Sequence, residues 1–239
     1  QHALRSFYPS VGGQYDGTKD AYPAFREFCL QHREPITRLV STRVTNTNEV
    51  ARCTALYPAF DHVAQRMRSG LHLVEMGPSA GFNLNWDRYG YVYRRDGAET
   101  LLRGNPDANL VLECELRGDL TPGPSRVFPE VLSRIGLELN PVNLASAEDR
   151  LWLRALVFTE AVPRLARLEQ AMATVTSHPV PLRFGDALET LVPAIDALPA
   201  GGIPVIFHSF VTYQFSTAMR ASLEALCARR IPPAMSPMA

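Results

Sequence analysis

Residues 71–85 read LHLVEMGPSAGFNLN, an apolar run that ends in an acid and then breaks into a turn of small residues. The run LHLVEM predicts a β-strand, and the segment from Gly77 to Gly81 predicts a tight loop directly after it. This loop matches G-x-S-x-G, the motif that presents a nucleophilic serine at the end of a strand. It also matches an acidic glycine-rich loop, in which Glu75 precedes two glycines that let the backbone approach a nucleotide-like cofactor.

The composition is that of a soluble globular protein. The 239 residues are 46% apolar and 20% charged, and the formal net charge is zero. No basic stripe is present, so we expect no nucleic-acid partner. The longest apolar stretch, residues 203–211, is much shorter than a membrane span, so we expect no membrane partner and a cytoplasmic location. The four cysteines are scattered without metal-ligand spacing, so we expect reduced thiols and no metal site.

The pattern of apolar residues changes near residue 70, which predicts two parts of the chain. Residues 21–68 have apolar positions three and four apart, so residues 1–70 are expected to form a helical N-terminal unit. From Leu71 onward, short apolar runs alternate with amphipathic segments. This alternation predicts an α/β fold for residues 71–239, with a Rossmann-like parallel sheet and helices on both of its faces.

Four strands are predicted for this sheet, and an insertion separates the first from the second. The strands are LHLVEM, SRIGLELNP with its end at Glu138, VPLRFGDA and GGIPVIFHSF. The last run is expected to be buried on both faces, because its apolar residues do not alternate with polar ones. Residues 89–130 combine short strand patterns with turn clusters, which predicts an insertion of the β-hairpin type.

Chemistry-bearing residues follow three of these strands, at the edge where parallel sheets bind their ligands. A nucleoside cofactor needs a glycine loop after the first strand and an acid after the second, whose oxygens accept both ribose hydroxyls. A further acid after the third strand can accept the exocyclic amine of adenine. Gly77 and Gly81, Glu138 and Asp186 stand at these three positions. The cofactor interpretation therefore uses more of the chain than the serine motif does.

These motifs resemble those of class I S-adenosylmethionine-dependent methyltransferases over residues 71–230. The resemblance implies a methyltransferase-type Rossmann-like fold, S-adenosylmethionine as the cofactor and methyl transfer to a small-molecule substrate. Its cofactor-binding residues would be Glu75, Gly77, Ser79, Gly81, Glu138 and Asp186.

The end of the fourth strand falls where those enzymes often have catalytic or substrate residues. His208 lies there and would be the catalytic base if the acceptor is a hydroxyl or an acidic carbon. The chain departs from the methyltransferase pattern in two respects. Glu138 comes 57 residues after Gly81, so the insertion has to loop out of the core. Only nine residues follow Arg230, so we expect the last strands of a seven-stranded sheet to be missing.

Two other functions stay open on the residues alone. A serine hydrolase would use Ser79, Asp186 and His208 as nucleophile, acid and base, in the chain order of the α/β-hydrolases. It is the weaker hypothesis, because His208 lies inside an apolar strand pattern and no HGGG-type segment precedes the loop. A non-catalytic Rossmann-like module that binds a nucleotide-type ligand or a partner is favoured by the short C-terminal half.

The segment NTNEVARC, residues 46–53, has a structural and a functional interpretation. Asn48 has the position of a helix cap, which is the structural interpretation. In the functional interpretation Asn46, Asn48 and Glu49 line a substrate pocket.

The segment NWDRYGYVY, residues 85–93, is open in the same way. In the functional interpretation Trp86 and Tyr89 belong to an aromatic wall that holds a flat or cationic substrate, and Asp87 lies beside them as a further substrate residue. Alternatively the rings form a packing cluster and Asp87 is solvated. For His208, a hydrogen-bonded core histidine is the structural alternative to a catalytic base.

A closer resemblance covers nearly the whole chain. Five stretches occur together and in order: TNTNEVARC, LVEMGPSAGFNLNWDRYGY, RIGLELNPVNL, DRLWLRALVF and RFGDALETL. They resemble a bacterial family of uncharacterised proteins, domain of unknown function 2332. This resemblance implies no activity. It implies that the family's domain extends beyond the end of this sequence.

Overall fold

The computed structural model of the chain describes residues 2–45, 48–95, 100–118 and 129–230. The chain forms two compact units, the first made of residues 1–47 and 143–170 and the second of residues 48–142 and 171–239. This division differs from the predicted boundary at residue 70, because residues 48–70 group with the sheet.

The described residues contain seven α-helices and seven β-strands. The helices are α1 (Tyr22–Gln31), α2 (Arg33–Thr42), α3 (Cys53–Met67), α4 (Ala147–Ala155), α5 (Val162–Ser177), α6 (Ala187–Asp196) and α7 (Thr217–Arg230). The strands are β1 (Leu71–Met76), β2 (Gly90–Arg94), β3 (Leu101–Gly104), β4 (Val111–Glu115), β5 (Val131–Glu138), β6 (Leu182–Phe184) and β7 (Ile203–His208).

The first unit is helical, and an arginine joins two of its helices. Nη1 of Arg43, just after α2, donates to Asp149 at 2.8 Å, and Nη2 pairs with Glu148 in the first turn of α4. Acidic side chains in a first helical turn also interact favourably with the helix dipole. Ser146 caps the same helix, because its hydroxyl accepts the Asp149 amide at 3.2 Å.

The second unit is built on a parallel four-stranded sheet in the order β6-β5-β1-β7. Along the chain these are the third, second, first and fourth parallel strands. All six residues of β1 are buried, because strands pair with both of its edges and helices pack on both faces of the sheet. The prediction that β7 is buried on both faces is wrong. Its residues are half-buried and His208 is exposed, since β7 pairs only with β1 among the described strands.

Helices flank this sheet on both faces, as the alternation of elements predicts. Val74 and Met76 point to one face, where they pack with Leu191 of α6 and Leu223 of α7. Glu75 points to the opposite face, because successive side chains of a strand alternate. The register partner of Glu75 in β7 is Phe207, whose ring centroid lies 5.0 Å from that of Phe60 in α3.

The insertion forms a small second sheet in the order β3-β2-β4. β2 and β3 are antiparallel, which agrees with the predicted hairpin, and β4 adds a strand parallel to β2. The ring of Tyr91 in β2 stacks on Tyr57 of α3 at 4.8 Å between centroids. This contact anchors the small sheet to α3.

Candidate functional site at the carboxyl edge of the sheet

The loop after β1 has left-handed backbone at three of its residues. The φ angles are 70° at Gly77, 56° at Ser79 and 80° at Gly81. A Cβ atom at Gly77 would lie 2.8 Å from Cγ2 of Val211, and one at Gly81 would lie 2.4 Å from Cγ2 of Val180. The glycines therefore make room for side chains of the protein itself. Their role in the approach of a cofactor stays a prediction.

Glu138 lies at the end of β5, where the sequence predicts it, and fastens two loops. Its Oε2 accepts the amide N–H of Ser79 at 2.7 Å, and its Oε1 accepts the amide N–H of Asn140 at 3.0 Å. Charged acceptors of amide hydrogens form strong hydrogen bonds. Each carboxylate oxygen has a second lone pair, so both can accept one more donor from a ligand.

Glu75 is the last residue but one of β1, and its side chain is 0% exposed. Nδ2 of Asn83 donates to Oε1 of Glu75 at 2.7 Å. Oε2 is also buried, and within the described residues it has no hydrogen-bond partner. Burial raises the pKa of Glu75 to about 8, and the negative charge of Glu138 acts in the same direction. At neutral pH this carboxyl group is therefore mainly protonated.

Asn83 connects Glu75 to a buried cysteine. Sγ of Cys53 donates to Oδ1 of Asn83 at 3.5 Å, while the amide nitrogen of Asn83 donates to Glu75. Burial raises the pKa of the Cys53 thiol well above its usual value, so the thiol keeps its proton. Neither Asn83 nor Cys53 could be identified from the sequence, because an asparagine and a cysteine 30 positions apart carry no spacing signal.

Arg52, in the segment NTNEVARC, holds the loop after β7. Nη1 of Arg52 donates to the carbonyl oxygen of Ser209 at 3.2 Å and to its hydroxyl at 3.0 Å. The guanidinium lies 4.5 Å from the ring centroid of Phe210, which has a φ of 60° and is 70% exposed. Ser79 and Phe210 are thus two left-handed non-glycine residues in the loops after neighbouring strands.

This concentration of unusual backbone coincides with the reversal of strand order. β5 and β6 follow β1 on one side, and β7 lies on the other. Open α/β sheets bind ligands outside the carboxyl ends of the strands at such a point. Strained backbone also clusters at functional sites. The loops that carry Ser79 and Phe210 therefore bound the candidate site.

His208 lies on this edge as the register partner of Met76. The alternative that it is a core histidine is wrong, since its side chain is exposed. Partial burial of the ring still lowers the pKa of His208 below its usual value, so the neutral form prevails at pH 7. A neutral imidazole is the form that can accept a proton. Its catalytic role stays a prediction.

Asp186 follows β6 and caps the next helix. Its Oδ1 accepts the amide N–H of Leu188 at 2.8 Å at the start of α6. A capping aspartate of this kind stabilises a helix by about 1 kcal/mol. The structural role does not use the other carboxylate oxygen, and the adenine-binding role stays a prediction.

Asn48 and Glu49, two residues of the segment NTNEVARC, have different roles. Nδ2 of Asn48 donates to the carbonyl oxygen of Pro78 at 2.9 Å. The prediction that Asn48 caps the helix is wrong, because Glu49 caps the 3-10 helix Val50–Arg52 by accepting the Ala51 amide at 3.1 Å. Asn46 lies outside the described residues. Asn48 therefore contacts the loop after β1, and its role toward a substrate stays a prediction.

The aromatic segment after the loop is buried. Trp86 and Tyr89 are fully buried, and the hydroxyl of Tyr89 donates to the carbonyl oxygen of Phe82 at 2.8 Å. Asp87 is not solvated, because it forms a bidentate ion pair with Arg134 at 2.8 and 2.9 Å. This arrangement favours the packing interpretation, and the substrate roles of Trp86, Asp87 and Tyr89 stay predictions.

Ser79 lacks the surroundings of an activated nucleophile. Its hydroxyl oxygen is buried and has no hydrogen-bond partner within the described part of the chain. A catalytic serine requires a base within hydrogen-bond reach. The element that follows the loop is the short 3-10 helix Asn83–Arg88, whereas a nucleophile elbow leads into a longer helix. The geometry therefore gives the hydrolase hypothesis no support.

The described residues contain neither a metal-binding cluster nor a membrane-spanning helix. No group of three or more histidine, cysteine, aspartate or glutamate side chains could hold a metal ion there. Among the helices of those residues, none combines the length and the apolar character needed to cross a bilayer.

Comparison with known proteins places residues 1–232 in one family model. That family is described as an uncharacterized protein conserved in bacteria (DUF2332). No curated protein and no solved structure matches the chain.

Proposed function

This chain belongs to the bacterial family DUF2332, and we propose that it is an S-adenosylmethionine-dependent methyltransferase acting on a small-molecule acceptor. One observation carries the proposal. Acidic side chains stand at or directly after the carboxyl ends of three adjacent parallel strands, namely Glu75 in β1, Glu138 in β5 and Asp186 after β6.

The strand order supports this proposal. The four parallel strands have the order third, second, first, fourth, which is the order of the first four strands in a Rossmann-type sheet. A methyltransferase-type Rossmann-like sheet is the finer fold that we propose. In such sheets the cofactor lies over the first strand, with its ribose at the end of the second.

The hydrogen-bonding groups of the site fit an adenosine cofactor that carries an amino acid. The remaining lone pairs of Glu138 suit two ribose hydroxyls. Asp186 lies one strand further out and suits the exocyclic amine of adenine. The buried Oε2 of Glu75 has no partner within the described residues, so it suits an amino group of the ligand. A buried polar atom without a partner is costly unless a ligand or water satisfies it.

The bound cofactor supplies a methyl group on a sulfonium. The contribution of the protein is then chiefly to hold the acceptor in line and to exclude water. Neutral His208 has the protonation state to remove a proton from a hydroxyl acceptor at the same edge. Acceptors that are already nucleophilic need no base.

Calorimetric titration with S-adenosylmethionine and S-adenosylhomocysteine tests the proposal. We expect saturable binding to the wild-type chain and its loss in the Glu138→Ala variant. Glu113→Ala is the matched control, because Glu113 is a strand carboxylate in the small sheet and is exposed. Circular dichroism establishes that each variant is folded. Equal binding by Glu138→Ala and the wild type would contradict the ribose role of Glu138.

A non-catalytic module that binds a ligand or a partner is the second candidate. It is favoured by the packing of the loop after β1, because Val211 and Val180 fill the space next to Gly77 and Gly81. In a dinucleotide-type loop this space admits the ligand. Absence of adenosylmethionine binding by the folded wild-type chain would favour this candidate over the methyltransferase.

A further inference from the structure

The protonation state of Glu75 goes beyond the methyltransferase proposal, which assigns its Oε2 to an amino group of the ligand. The carboxyl group is 0% exposed, receives one hydrogen bond from the neutral amide of Asn83, and has one oxygen with no partner within the described residues. Burial without a compensating charge disfavours the ionised form. The free protein therefore holds a neutral carboxylic acid at the end of its central strand.

Four ionisable groups act on this site from the elements around it. Arg52, before α3, stabilises the ionised form of Glu75, and Glu138, at the end of β5, opposes it. Cys53 and Tyr89 interact electrostatically with Glu75, but burial raises the pKa of both groups well above their usual values, so they are neutral at pH 7. Arg52 already donates to Ser209 and contacts Phe210. A cation that enters the site would therefore shift the balance at Glu75.

We propose that the primary ammonium group of the ligand pairs with Oε2 of Glu75, and that Glu75 loses its proton to solvent as the ligand binds. This inference rests on the proposed function, because adenosylmethionine carries such a group. The proton leaves the carboxyl group, and the new carboxylate pairs with the ammonium. No other bond changes.

The direction of the coupling follows from the charges. A buried ammonium next to a neutral acid would lack a counter-ion, whereas a buried ammonium–carboxylate pair is compensated. The pKa of Glu75 is about 8 in the free protein, and a bound cation lowers it. Binding near pH 7 therefore releases close to one proton per site. Between the pKa of Glu75 in the complex and its higher pKa in the free protein, the affinity for the ligand increases about tenfold for each unit by which the pH rises.

Calorimetry in two buffers with different ionisation enthalpies measures this proton release. The ligands are S-adenosylhomocysteine, which has the ammonium group, and 5′-methylthioadenosine, which has the same nucleoside but no amino acid. We expect release of nearly one proton with S-adenosylhomocysteine and none with methylthioadenosine. In the Glu75→Gln variant we expect release with neither ligand, since glutamine keeps the acceptor for Asn83 but cannot ionise.

The outcomes separate this inference from the proposed function. S-adenosylhomocysteine could bind without proton release and with an affinity that does not change between pH 6 and pH 7. That outcome would overturn the role of Glu75 and leave the cofactor assignment standing. Equal proton release by Glu75→Gln would overturn it as well. Failure of both ligands to bind the folded wild-type chain would overturn the inference and the methyltransferase proposal together.

Discussion

Glu138 and Ser79 are joined by a hydrogen bond of 2.7 Å across 59 positions of the chain, from the Ser79 amide to Oε2 of the carboxylate. The bond links the end of β5 to the loop after β1. Ser79 has a left-handed backbone, and a charged acceptor on its amide helps to hold that conformation. The residue that we propose to bind the ribose is therefore also a support of the loop.

Substitution of Glu138 should lower stability as well as binding. In Glu138→Ala the buried amide of Ser79 loses its acceptor, which should lower the free energy of unfolding by about 1–3 kcal/mol. Urea denaturation measures the change. Glu113→Ala, at an exposed strand position, should stay within about 0.5 kcal/mol of the wild type. Equal effects of the two substitutions would show that the bond to Ser79 contributes nothing.

Gly77 should tolerate no side chain, because its conformation and its contact with Val211 both exclude one. Gly77→Ala should destabilise the fold by about 1–2 kcal/mol through its left-handed backbone and by a further 1–3 kcal/mol, roughly, through the overlap with Val211. Gly118→Ala is the matched control, with a φ of 69° against 70° at Gly77 and no atom of the described residues within 4 Å of the added Cβ.

The double variant Gly77→Ala/Val211→Ala separates the two causes. It should be less destabilised than the separate effects of Gly77→Ala and Val211→Ala would sum to, because the added methyl group then fills part of the vacated space. Thermal unfolding monitored by circular dichroism measures the four proteins. Strict additivity would contradict the contact between residues 77 and 211.

Removal of one partner from the ion pair of Asp87 and Arg134 should destabilise the protein strongly. Arg134 also donates to the carbonyl oxygen of Leu84 at 2.6 Å, and the exposed fractions of the paired side chains are only 18% and 15%. Asp87→Asn should cost about 3–5 kcal/mol, because it leaves a largely buried guanidinium without its counter-charge. Glu113→Gln breaks the exposed pair with Arg94, whose fractions are 64% and 57%, and should cost less than about 1 kcal/mol.

Stability should fall with rising pH because of Glu75. Its pKa in the folded protein is raised from 4.5 to about 8, so the folded state keeps a proton that the unfolded state releases. This contribution is complete below pH 4.5, decreases as pH increases, and is lost as pH passes 8. Glu75→Gln should remove this part of the pH dependence and should gain stability relative to the wild type between pH 6 and 8. Urea denaturation at each pH gives the free energy of unfolding of the two proteins. Parallel plots of this free energy against pH would contradict the raised pKa.

Ser79→Ala should have no effect on ester hydrolysis. The hydroxyl has no hydrogen-bond partner among the described residues, so no base is positioned to activate it. Hydrolysis of p-nitrophenyl acetate by the wild type and the variant measures this. A Ser79-dependent esterase activity would restore the hydrolase hypothesis, and circular dichroism of Ser79→Ala provides the control for folding.

The strands of the large sheet could be predicted from the sequence, because each is an apolar run closed by turn residues. The predicted end at Glu138 agrees with β5, and LHLVEM corresponds to β1. The order of the strands was less accessible. An apolar run such as that of β7 looks the same at the edge of a sheet as at its centre, so its half-buried state could not be predicted.

The candidate site could be predicted in position but not in its contacts. Glu75, Glu138 and Asp186 could be identified because each follows or ends a predicted strand. The bond from Asn83 to Glu75 and the pair of Asp87 with Arg134 depend on tertiary geometry. The glycine pattern predicts space for a ligand at residues 77 and 81, because a sequence shows that space is needed but not that Val211 and Val180 fill it.

The most direct test of the central claim is the backbone amide spectrum of the isotope-labelled chain during titration with S-adenosylhomocysteine. Amides of Ser79 and Asn140 donate to Glu138, so new hydrogen bonds from ribose hydroxyls should change their chemical shifts saturably. The account predicts such shifts at both amides, with a single dissociation constant and with no change at the Gly118 amide. Saturable binding that leaves both amides unshifted would contradict a cofactor at Glu138.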